Sequence, residues 1–100
     1  MAERGVYLVE CELSGESQPL RKEGYAGAFV VCFVVAAGIR NALDQAEAML
    51  TEDGYQLLDV SKVMRFEPSE WEGVSDICAL AAEVAATGES AYSDFEVWGH

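Results

Sequence analysis

Residues 26–37 read Ala26-Gly27-Ala28-Phe29-Val30-Val31-Cys32-Phe33-Val34-Val35-Ala36-Ala37. The run is continuous rather than alternating, and its centre is β-branched and aromatic, which favours a strand. A strand apolar on both sides is covered on both faces or lies in a subunit interface. Uncharged residues extend from 24 to 39, between Glu23 and Arg40. A spanning helix needs about 20 residues, so a membrane span is not expected.

The segments around this strand supply partners for it. Val6 to Leu13 alternates, with Tyr7, Val9, Cys11 and Leu13 on one side and Leu8, Glu10 and Glu12 on the other. That spacing predicts a first strand, and the polar stretch from Ser14 to Gly24 a long hairpin loop. After Gly38, the residues Ile39, Ala42, Leu43, Ala46, Met49 and Leu50 recur at helical spacing, with Gly54 placed as the C-terminal glycine. Tyr55 to Phe66 reads as a third strand carrying Leu58, Val60, Met64 and Phe66 on one face, with Lys62 as an intruder. Strand, helix and strand from Ala26 to Phe66 form a βαβ unit, whose two strands run parallel through a right-handed crossover.

Pro68 closes that strand, and Ser69 with Glu72 matches a capping box. Trp71, Val74, Ile77, Cys78, Ala81, Val84 and Ala85 continue at helical spacing until Gly88, and Ala91 to Trp98 reads as a last strand. The expected fold is an α+β or α/β sandwich of ferredoxin-like size. Its element order is β-β-α-β-α-β, with a four-stranded mixed sheet and two helices on one face.

The chain has 100 residues, enough to bury about 65% of its surface around one modest core, so residues 1–100 are read as a single domain. Eighteen acids against six bases give a net charge of -12. Six scattered bases do not neutralise a phosphate track, so no nucleic acid is expected as partner. The polar residues Met1 to Gly5 carry no signal-peptide pattern. Cys11, Cys32 and Cys78 lack the even count and close spacing of a disulfide framework or zinc ribbon. They read as reduced core thiols, and the compartment as the cytoplasm.

Little catalytic chemistry is available. His100 is the one histidine, so no tetrahedral metal site or nucleophilic triad is expected, and no cofactor. No glycine-rich phosphate loop is present. Carboxylates are the chemistry in good supply. Glu10 and Glu12 lie two apart on a strand and point to one face about 7 Å apart, as do Asp94 and Glu96. If those strands are neighbours, four acids share one patch. Asp44 and Glu47 lie on the outward side of the first helix.

Three functions compete. The first is a non-enzymatic acidic interaction protein that binds or inhibits a basic protein partner, in the manner of an immunity protein or inhibitor. Its candidate surface is Glu10, Glu12, Asp94, Glu96, Asp44 and Glu47. The second is a homodimeric small-ligand-binding or regulatory domain, with Phe29, Val31, Phe33 and Val35 as the dimer interface. The third is a small acid–base enzyme using carboxylates or tyrosines.

Overall fold

We describe residues 5–67, 75–93 and 95–99 of a computed structural model. The capping box at Ser69–Glu72, Trp71, Val74, Asp94 and His100 lie outside the described residues.

The chain forms an antiparallel sheet flanked by helices on both faces. Strand β1 (Gly5–Ser14) is followed by helix α1 (Gln18–Glu23), strand β2 (Tyr25–Ala36) and helix α2 (Ile39–Glu52). Strand β3 (Leu57–Arg65), helix α3 (Ser75–Thr87) and the short strands β4 (Ala91–Tyr92) and β5 (Glu96–Gly99) complete it. The sheet order is β3-β1-β2-β4, and β5 also pairs with β2.

Several expectations are corrected. The sheet has five strands rather than four, and every described pairing is antiparallel rather than mixed. Strands β2 and β3 do run in the same direction, as a βαβ crossover requires. They are not neighbours, because β1 lies between them and is antiparallel to both. The Ser14–Gly24 stretch is not all loop. Pro19 opens a short helix, Leu20 anchors it in the core, and Gly24 ends it at φ 79°. The expected last strand is two strands, both laid along β2.

The helices divide between the faces. Register pairs Val9 with Cys32 and Cys11 with Val30. These residues, with Tyr7, Leu13, Ala28, Val34 and Ala36, pack against Leu20 of α1 and Ala42, Ala46 and Leu50 of α2. On the opposite face, Val6, Leu8 and Phe33 pack against Ala81 and Val84 of α3, with Val31, Val35, Ile77 and Leu80 around them. The expected pair of helices on one face is therefore corrected to α2 below the sheet and α3 above it. This accounts for the part of the apolar run around Phe33, where β2 is covered from both sides by the chain itself. Phe33 is fully buried, so the dimer mate expected over it is replaced there by α3.

Two smaller differences follow from local geometry. Register shifts in β1–β3 fall between Glu10 and Cys11 and between Glu12 and Leu13. These bulges put Val60 beside Cys11 on the α2 face and Met64 beside Leu8 on the α3 face, so the expected shared face breaks. Leu58, in the second bulge, is 55% exposed. Ile39, expected on the inner stripe of its helix, also faces outward. The C-terminus of α2 ends as expected at Gly54 (φ 87°), where the Tyr55 N–H donates to the Leu50 carbonyl at 2.9 Å and the Gly54 N–H to that of Thr51 at 3.1 Å. This is a Schellman closure.

Candidate functional site on the open half of the sheet

Among the described residues, helix α3 covers only part of its face. Beyond it, β1 turns acidic while β2 stays apolar and pairs along its other edge with β5. Pairing sets Glu10 opposite Val31 and Glu12 opposite Phe29. On the other side of β2, Glu96 also stands opposite Phe29. Glu12 and Glu96 thus flank one phenylalanine on the same face, two strand spacings or roughly 10 Å apart.

Trp98 completes the patch. It is paired with Gly27, two residues before Phe29 and on the same face. Its indole lies directly over Gly27, in space a side chain there would fill. Packed this way, Trp98 meets the Phe29 ring at 5.0 Å between centroids and a 47° tilt. The indole is still 38% exposed, while Phe29 and Val31 are half-buried. Alongside runs a groove of about 410 Å³ lined by Glu10, Phe29, Val30, Val31, Ser93 and Glu96. The groove floor is fixed by a backbone clasp. Ser93 Oγ accepts from the Val31 N–H at 2.9 Å, and the Val31 carbonyl accepts from the Ser93 N–H at 2.8 Å.

The sequence-predicted acids are therefore only partly united. Glu10, Glu12 and Glu96 share this face, although β1 and β5 flank β2 rather than each other. Asp44 and Glu47 are exposed on α2, which packs on the opposite face. Of the residues considered for a dimer, Phe33 is buried and Val31 and Val35 pack against the α3 cluster, while Phe29 belongs to the open patch. Sequence reasoning missed the role of Gly27 and Trp98. A glycine inside a strand marks a close approach, and that signal was present.

A second cluster lies under the sheet. Tyr55, Tyr92 and Phe95 form a ring group, with Tyr55 and Phe95 stacked at 5.3 Å. The Tyr92 hydroxyl donates to Asp53 Oδ2 at 2.5 Å and lies 3.1 Å from the Met49 carbonyl oxygen. Burial, with the neighbouring Asp53 carboxylate, pushes the Tyr92 hydroxyl well above the ordinary tyrosine range, and burial raises Tyr55 in the same direction. A hydroxyl so held is a poor proton donor near neutrality. The cluster ties β4 to the C-terminus of α2 instead.

Cys11 and Cys32 are fully buried. A hydrogen bond with Cys11, followed by burial, pushes the Cys32 thiol upward and away from reactivity. Among the described residues, no group of three or more His, Cys, Asp or Glu side chains could hold a metal ion. Nor, among the described residues, is any helix long and apolar enough to cross a membrane. Compared with family models, curated proteins and solved structures, the chain gives no significant match to any of the three.

Proposed function

We propose that this is a non-enzymatic acidic interaction protein that docks a basic protein through the open half of the α3 face. The observation that carries the reading is the placement of Glu10, Glu12 and Glu96 around the half-buried Phe29 and the partly exposed Trp98 packed on it. A partner can bury aromatic area at the centre and pair charges at the rim, the usual anatomy of a specific interface. The net charge of -12 steers a positive surface toward it from a distance. The buried thiols Cys11 and Cys32 suit a reducing compartment such as the cytoplasm.

A homodimer through this same patch is the less favoured reading. Copies meeting there would bring Glu10, Glu12 and Glu96 close to their own counterparts, and like charges juxtaposed at an interface cost several kcal/mol. Acid–base catalysis finds no support in the Tyr92 cluster, whose hydroxyl is committed to Asp53.

The test is capture of partners by wild type and by a Glu10→Gln, Glu12→Gln, Glu96→Gln variant, each at about 50 and 300 mM salt, where the screening length shortens from above to below 10 Å. A basic protein held by wild type at low salt and lost by the variant supports the reading. Equal capture by both chains removes this surface from it.

A further inference from the structure

The groove beside the aromatic pair has a definite chemistry. We infer that it seats an arginine side chain of the partner, in preference to a lysine. This rests on the acidic-docking reading above and specifies what that surface recognises.

Three features converge. The floor is apolar, formed by Phe29 and Val31, and matches the aliphatic stem of a long basic side chain. The walls hold two carboxylates, Glu10 on β1 and Glu96 on β5, set diagonally across β2. Phe29 lines the groove and carries on its ring the tilted Trp98, which lies beside the groove and is itself partly exposed. A guanidinium is planar, stacks on aromatic faces, and carries five donors in a rigid fork that can reach carboxylates on two sides at once. An ammonium is a compact and strongly hydrated point charge, which meets one carboxylate well and leaves its water reluctantly. Tryptophan is also the best of the aromatic rings at holding a cation. A groove of about 410 Å³ has room for such a side chain together with some of its water. The carboxylate walls equally argue against a second copy of this chain as the occupant.

The experiment titrates the isotope-labelled chain with hexa-arginine and with hexa-lysine, which carry the same charge, and follows amide and indole signals by NMR. Hexa-arginine is expected to bind roughly tenfold more tightly. Its shifts should centre on Val31, Glu96 and the Trp98 indole. Trp98→Leu should bring the two affinities together. So should Glu96→Gln, at an exposed position that leaves the fold intact. Equal affinity of wild type for both peptides overturns the arginine preference while the acidic-docking reading stands. Shifts absent from Glu10, Glu12 and Glu96 with either peptide, or confined to Asp44 and Glu47 on α2, overturn both.

Discussion

Gly27 and Trp98 act as a pair. A glycine in the middle of a strand costs roughly 0.5–1 kcal/mol relative to alanine, and here the indole laid over it restores buried area. A Gly27→Val chain should displace Trp98, raise its solvent exposure and weaken partner binding. Acrylamide quenching of tryptophan in a Trp71→Phe background would read this directly. Gly54 is needed for a different reason, its φ of 87°. Gly54→Ala should cost about 1–2 kcal/mol in urea unfolding. Tyr92 makes stability depend on alkali. Its folded value is raised above the ordinary 10.0, so its contribution is complete below pH 10 and is lost as pH rises beyond it. Urea midpoints should fall between pH 10 and 11, and Tyr92→Phe should flatten that fall. Cys32 and Tyr55, raised in the same direction, supply the slope that remains.

At the scale of elements, β2 is the organising strand. Its α2 face is packed along nearly its whole length, whereas α3 covers only the part near Phe33. Phe33→Ala should cost about 3–5 kcal/mol, the range for a fully buried aromatic. The chain should unfold at lower urea without a change in oligomeric mass. If the same substitution merely split a folded dimer, the role assigned to α3 would be wrong. The alternation of β1 was legible, and so were the inner stripe of α2 and its glycine ending, because periodicity and caps are local. The bulges in β3 were not legible. A bulge is decided by the strand beside it, and Ser61 and Leu58 carry no mark of their own. Nor was the split of the last strand, where Ser93 breaks the run by clasping Val31.

For the whole molecule, the dominant quantity is charge. A net charge of -12 on 100 residues repels itself. Raising salt should therefore raise the thermal midpoint of the free chain while slowing its association with a basic partner, since screening acts on both. Calorimetry and stopped-flow mixing over the same salt series would show the two trends opposing. A midpoint insensitive to salt would mean that the acids are dispersed too widely to strain the fold.

The sequence by itself determined the acidity, the strands β1 and β2, the helix α2 and the need to cover β2 on both sides. It also marked Glu10 with Glu12 as acids of one face, since a period of two is intrinsic to a strand. Which body covers β2 was left open, as a second copy and a second layer of helix satisfy the same apolar pattern. Only the tertiary structure decided for α3, placed β5 against β2, and so set Glu96 and Glu12 on either side of Phe29, with Trp98 packed on its ring. The physical reason is that pairing across a sheet joins residues far apart in the chain, and nothing in the local pattern of either segment specifies the other.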